Sequence, residues 1–314
     1  MHHITQQPVC GLDVHESSVV ACIRQPTGEE QIKTFATTTE QLNSLRDWLK
    51  NNQVAQVAME STGIYWKPVF NIIGDDFELL LVNARHIKNV PGRKTDTKDS
   101  QWIAQLLQAG LLKASFIPEH TIRELSKLTR YEHKLQGQLQ QEKNRVHKLL
   151  QECNIKINEV LSDIFGLSGR LILKDLAQGI TDPDRLVSHM DRDKRLVAKK
   201  EKARAALVGC VTIESKFLLR QILEHIEFIE QQQKELTNTI EQLVSAHDEQ
   251  AATLLQTIPG VGEKASQRII AEVGTSMAAF KSHGHMAAWG GLVPGQNESA
   301  GKKKVVGSVM GIAT

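Results

Sequence analysis

Val9-Cys10-Gly11-Leu12-Asp13-Val14-His15 decides how the first third of the chain reads. The run follows Pro8 and is apolar at nearly every position to Val14. It reads as a buried strand with one carboxylate, Asp13, near its end. Working outward, Val19-Val20-Ala21-Cys22-Ile23 is a second apolar run, Pro26-Thr27-Gly28 a turn signal, and Gln31 to Ala36 a third strand. These three strands make an antiparallel meander. Thr37-x-x-Glu40 has the form of a capping box and opens a helix with Leu42, Leu45, Trp48 and Leu49 on one face. Val54 to Met59 is a fourth strand ending at Glu60. Ser61-Thr62-Gly63 turns into a helix carrying Trp66, Val69, Phe70 and Ile73, and Phe77 to Val82 is a fifth strand. A further helix follows through Trp102-Ile103-Ala104-Gln105-Leu106-Leu107. The order β-β-β-α-β-α-β-α to about Ser115 predicts a mixed sheet with helices on both faces. By analogy it is the order of the ribonuclease-H-like fold, which carries no function by itself.

Bulk properties narrow the classes. A chain of 314 residues is expected to form two or three domains. With 38 basic against 36 acidic residues, a nucleic-acid role needs local basic patches. Cys10, Cys22, Cys153 and Cys210 show neither metal-ligand spacing nor a disulfide framework, so a reduced, cytosolic setting is expected. No apolar run approaches ~18 residues, and Met1-His2-His3-Ile4-Thr5 lacks a signal-peptide core.

The stretch Arg93-Lys94-Thr95-Asp96-Thr97-Lys98-Asp99-Ser100 sets two carboxylates three apart at the start of the last helix. That spacing puts them on one face. Taken alone, they read as a solvated first turn, where acidic residues are favoured. Asp13 and Glu60, however, stand at the ends of strands that this fold brings near that helix. Four converging carboxylates need cations between them, and hard oxygen ligands suit Mg²⁺ or Mn²⁺. Two such ions can position oxygens at a phosphodiester. Arg93, Lys94 and Lys98 then stand where phosphate would arrive.

From about Pro118 prolines nearly vanish. Leu125, Leu128, Leu135, Leu139, Val146, Leu149 and Leu150, then Leu218, Ile222, Ile226, Ile229, Leu236, Ile240 and Leu243, predict long amphipathic helices, with a break at Asp182-Pro183. A plain helical bundle and a coiled-coil dimerisation arm both fit. The basic cluster from Arg192 to Arg204 is diluted by Asp191, Asp193 and Glu201 and reads as a solvated face. Ile258-Pro259-Gly260-Val261-Gly262-Glu263-Lys264 matches the turn of a helix-hairpin-helix element, where Gly260, Gly262 and Lys264 could hold a phosphate. The same turn can also simply join two packed helices. Near the end, Ser299 lies between Glu298 and Lys302-Lys303-Lys304. The expected organisation is an α/β domain over 1–117, a helical domain over 118–250 and a mostly helical C-terminal domain over 251–314.

Gly11-Leu12-Asp13, Met59-Glu60-Ser61-Thr62-Gly63, Lys94 to Asp99, Ile258 to Gly262, and Gly291-Leu292-Val293-Pro294 through Asn297-Glu298-Ser299-Ala300-Gly301-Lys302 occur in one order that closely resembles the DEDD transposases of the IS-one-ten insertion-sequence family. The resemblance covers nearly the whole chain. It implies a RuvC-like N-terminal domain, a coiled-coil middle and a C-terminal transposase domain. It further implies Asp13, Glu60, Asp96 and Asp99 as a metal-binding tetrad, Ser299 as nucleophile, and guidance by a structured noncoding RNA, the bridge RNA. Lys302 and Lys303, with the basic residues named above, would meet nucleic acid. In the implied reaction the Ser299 hydroxyl attacks a DNA phosphodiester, and the phosphoserine link conserves the bond for rejoining. Metal held by the tetrad would activate the attack and stabilise charge.

The tail Val305 to Thr314 is apolar and unlike the family's continuation, so a C-terminal truncation with a poorly supported Ser299 is expected. Two alternatives share these residues: a metal-dependent nuclease or junction resolvase that uses water, and an inactive nucleic-acid-binding remnant. A coiled coil between chains would give a homodimer, and strand exchange between two duplexes suggests a homotetramer. The expected setting is the bacterial cytoplasm, at the nucleoid when acting.

Overall fold

A computed structural model describes residues 6–61, 63–83, 99–290, 298–299 and 302–303. The chain divides into two compact units, Met1–Ile117 with Met277–Thr314, and Pro118–Ser276.

The first unit is built on five strands: β1 (Val9–Val14), β2 (Ser18–Arg24), β3 (Glu30–Ala36), β4 (Gln56–Glu60) and β5 (Glu78–Val82). Their order across the sheet is β3-β2-β1-β4-β5. The first three pair antiparallel as the expected meander, while β1, β4 and β5 run parallel. Side chains alternate between the faces. Cys10, Leu12, Val14, Val57, Met59 and Leu81 join one core with α1 (Thr39–Asn51) and α2 (Trp66–Ile73). Val9, Ala58 and Val82 join the opposite core with α3 (Asp99–Gln108). The mixed sheet with helices on both faces is therefore as the sequence predicts. The capping box is not. Thr38, without a side-chain cap, precedes α1, and Thr37 donates its hydroxyl to the Glu16 carbonyl at 2.8 Å. The strand-end loop takes the threonine before the helix can.

The second unit is all helical. Its frame is α4 (His120–Glu152), followed by α5 (Leu167–Gln178), α6 (Pro183–Ser188), α7 (Lys194–Val197), α8 (Lys200–Ala206), α9 (Ile213–Gln256) and α10 (Glu263–Val273). Asp182-Pro183, expected as a break, starts α6: Asp182 accepts from the Asp184 amide and proline occupies the first turn. The long helices α4 and α9 pair antiparallel within the chain. Early α4 (Ile122, Leu125) meets late α9 (Ile240, Val244), and late α4 (Leu149, Leu150) meets early α9 (Leu219, Leu223). Most of the apolar stripe read from the sequence is thus covered in cis, while Leu218 is exposed. At Asp248 (φ −165°, ψ 85°) α9 bends, and the Asp248 carboxylate accepts from the Ala251 amide, capping the continuation.

After Ser276 the chain returns to the first unit. Phe280 stacks on Phe116 with ring centroids 5.2 Å apart, α11 (His283–Trp289) follows, and β6 (Glu298–Ser299) pairs with β7 (Lys302–Lys303). No helix among the described residues is long and apolar enough to cross a membrane.

Candidate active site on the sheet edge

Three of the four expected carboxylates stand near the ends of β1 and β4 and at the start of α3. β1 and β4 run parallel in the register Leu12↔Met59, and the next position holds Asp13 on one strand and Glu60 on the other. By alternation both belong to the face that α3 covers, with Ala58 and Gly11. Asp99 opens α3, where a helix N-terminus favours negative charge.

Gly11 makes this approach possible. A Cβ at Gly11 would stand 2.2 Å from the Ser100 carbonyl oxygen and 2.5 Å from the Ala104 nitrogen. Only a residue without a side chain lets the helix lie this close to the strand. Further along, α3 is fastened to the meander by side chains. Gln101 and Gln105 donate to Glu30 at 2.7 and 3.1 Å, and Arg24 donates to Gln108 at 2.6 Å. Arg24 also pairs with Glu30. Burial pushes the Glu30 carboxyl up, and the donors of Gln105, Gln101 and Arg24 outweigh it, holding it below the ordinary value.

The electrostatics report the convergence. Burial raises the Asp13 carboxyl above its ordinary 3.8; His15 works against this, and the charges of Asp99 and Glu60 add to the rise. His15 Nε2 lies 3.2 Å from Asp13 Oδ2 and is largely exposed. Ser100 is fully buried beside Asp99, and its hydroxyl has no hydrogen-bond partner. Sequence reasoning did not single out His15, Ser100 or Glu30. His15 had a signal, since it follows Asp13 by two just past the end of β1; the other two act across elements.

Asp13, Glu60 and Asp99 offer hard oxygens, and their chemistry fits Mg²⁺ or Mn²⁺. As placed, no group of three His, Cys, Asp or Glu among the described residues closes as a ligand set. Asp96, with Arg93, Lys94 and Lys98, lies outside the described residues, as does the tail from Val305. Ser299 is on β6, register partner of Lys302, with Glu298 opposite Lys303. That hairpin belongs to the same compact unit as the carboxylates. The expected phosphate-binding turn lies in the other unit, between α9 and α10. Gly260 takes φ +88° there, and nothing lies within 4 Å of a Cβ built at Gly260 or Gly262. Lys264 contacts Glu132 at 2.8 Å.

Residues 10–155 match the family model for DEDD transposases of the IS110 type, described as "Transposase". Residues 252–310 match a second model, described as "Transposase IS116/IS110/IS902 family". Together the two matches cover well over half of the chain, and they bracket both ends of the motif series. No curated relative matches.

Proposed function

This chain belongs to the IS110 (IS-one-ten) family of insertion-sequence transposases, and from that premise we propose that it cuts and rejoins DNA strands through Ser299 at a divalent-metal site held by Asp13, Glu60, Asp96 and Asp99. One observation carries the reading. The ends of β1 and β4 and the start of α3 put Asp13, Glu60 and Asp99 in one neighbourhood: burial first raises the Asp13 carboxyl, His15 opposes the rise, and the charges of Asp99 and Glu60 add to it. Such a cluster repels itself until a cation enters, which is the condition that selects a metal.

Bound there, Mg²⁺ or Mn²⁺ would supply Lewis-acid charge neutralisation at the phosphoryl oxygens. The chain's own groups do the rest. Ser299 Oγ forms a bond to phosphorus as the bond from phosphorus to a DNA sugar oxygen breaks, and the serine proton ends on the released hydroxyl. The link keeps the phosphodiester energy, so a sugar hydroxyl of a second strand can reverse the step and rejoin. The lysines at 302 and 303 lie beside the serine in sequence and suit phosphate contact; Arg93, Lys94 and Lys98 suit it beside the carboxylates. Gly260, Gly262 and Lys264 offer a second contact to the backbone of a nucleic acid. Target choice is assigned to a structured guide RNA by base pairing, and strand exchange to a dimer or tetramer.

The test is recombination of a donor and a target duplex with copurified RNA present, in Mg²⁺ or Mn²⁺. Asp99→Asn should abolish it while leaving the fold intact by circular dichroism. Full activity of Asp99→Asn, or undiminished activity in excess chelator, would sink the metal assignment.

A further inference from the structure

Ser100 is fully buried, and its hydroxyl has no hydrogen-bond partner among the described residues. Three other buried side-chain atoms there share that state, on Arg46, His247 and Arg268, but each of those side chains also forms an ion pair. A hydroxyl in a helix ordinarily turns back to a carbonyl one turn earlier. Ser44, Thr239 and Thr253 do so, on Glu40, Glu235 and Glu249, at 3.0 to 3.1 Å. Ser100 does not. A buried hydroxyl without a partner is destabilising, and its persistence is explained when a partner arrives with a ligand.

The fold says where that hydroxyl is aimed. Gln108, the last residue of α3, accepts from Arg24, the register partner of Val9. α3 and β1 therefore run in opposite directions, with the start of α3 at the Asp13 end of the strand. Gly11 faces the Ser100 carbonyl, and Asp13 follows on the same face about 7 Å further along. The Cα–Cβ bonds of a helix tilt toward its N-terminus, which directs the Ser100 side chain along the strand toward Asp13.

We propose that Ser100 is a positioning residue for the carboxylate cluster: its hydroxyl donates to the Asp13 carboxylate when Asp13, Glu60 and Asp99 close on a divalent cation, and so fixes that carboxylate as a ligand. The inference rests on the metal reading above and adds a residue to it. A ligating carboxylate keeps lone pairs that the cation does not use, and a hydrogen bond to one of them sets its orientation. Until the cluster closes, the hydroxyl stays unpaired. The metal-free chain is therefore less stable for having Ser100, and cation binding recovers the difference.

The full-length chain and Ser100→Ala are compared in two measurements: thermal unfolding in chelator, and titration with Mn²⁺ followed by the paramagnetic signal of the free ion. Removing an unpaired hydroxyl should raise the metal-free unfolding midpoint by about 2–4 °C. Removing a hydrogen bond to a ligating carboxylate should weaken Mn²⁺ binding by about 10- to 100-fold. The opposite signs are the signature, because a serine that only fills space between α3 and β1 would lower the midpoint when trimmed and leave the affinity alone. Ser100→Cys keeps a comparable shape with only a weak donor, and should lose affinity as Ser100→Ala does. A lowered midpoint in chelator, or unchanged Mn²⁺ affinity in Ser100→Ala, overturns the proposal, as does full affinity in Ser100→Cys. Equal Mn²⁺ binding by the unaltered chain and Ser100→Ala would defeat the role of Ser100 alone; no Mn²⁺ binding by the unaltered chain would defeat the metal reading with it.

Discussion

Gly11→Ala is the sharpest perturbation of the candidate site, because it adds one methyl group where two backbones meet. The added carbon would sit 2.2 Å from the Ser100 carbonyl oxygen, against the 3.4 Å at which ordinary contact begins, so α3 or β1 must yield by about 1.2 Å. The Ala104 nitrogen at 2.5 Å blocks the neighbouring direction, and neither obstacle is a side chain that can rotate away. Overpacking of this kind costs about 1–3 kcal/mol, and backbone obstacles put it near about 3. For a unit of this size that lowers the unfolding midpoint by roughly 6–12 °C. The retreat also carries Asp99 away from Asp13 and Glu60, and a shift of about 1 Å costs roughly 10²-fold in rate. Thermal unfolding and recombination are measured on the same preparation. Gly137→Ala is the sign control, since nothing lies within 4 Å of its added carbon, and in a helix interior it should stabilise by up to ~1 kcal/mol. A Gly11→Ala chain with a native midpoint and native rate would refute the close-approach argument.

The remaining predictions concern charge. Asp13 binds its proton more tightly folded than at its ordinary 3.8, so its ionised form opposes folding at neutral pH. Asp13→Asn should therefore raise the unfolding midpoint of the metal-free chain at pH 7, with the gain vanishing below 3.8, while recombination is lost; calorimetry across pH checks it. Glu132 behaves oppositely. Burial raises its carboxyl, but Lys264, Thr237 and Arg268 outweigh it and hold it below 4.5. Its contribution is present above 4.5 and is lost as pH falls through the lower folded value. Glu132→Gln should cost about 1–3 kcal/mol at pH 7, toward the lower end because the Lys264 ammonium is exposed, and the difference from the unaltered chain should close in acid.

The sheet was readable because its signals are local. Apolar runs marked β1, β2, β4 and β5, and the turn at Pro26-Thr27-Gly28 set the meander, so Asp13 and Glu60 could be put at strand ends before any contact was known. The helices were readable from their stripes, but a stripe does not say which surface covers it. The pairing of α4 with α9 within the chain depends on partners about a hundred residues apart, such as Glu132 and Thr237. The same distance hid the reason for Gly11, whose neighbour Ser100 comes from the far side of four strands and two helices. Asp182-Pro183 was ambiguous for another reason: proline stops one helix and starts the next with equal ease.

The direct test of serine-mediated strand transfer is a covalent one. The chain is incubated with a DNA substrate and Mg²⁺, quenched in denaturant and digested, and the peptides are examined by mass spectrometry. The account predicts a peptide carrying a phosphodiester-linked nucleotide on Ser299, absent in Ser299→Ala and in Asp99→Asn. Cleaved DNA with no adduct, or an adduct on another residue, would contradict it and favour hydrolysis by water at the same carboxylates.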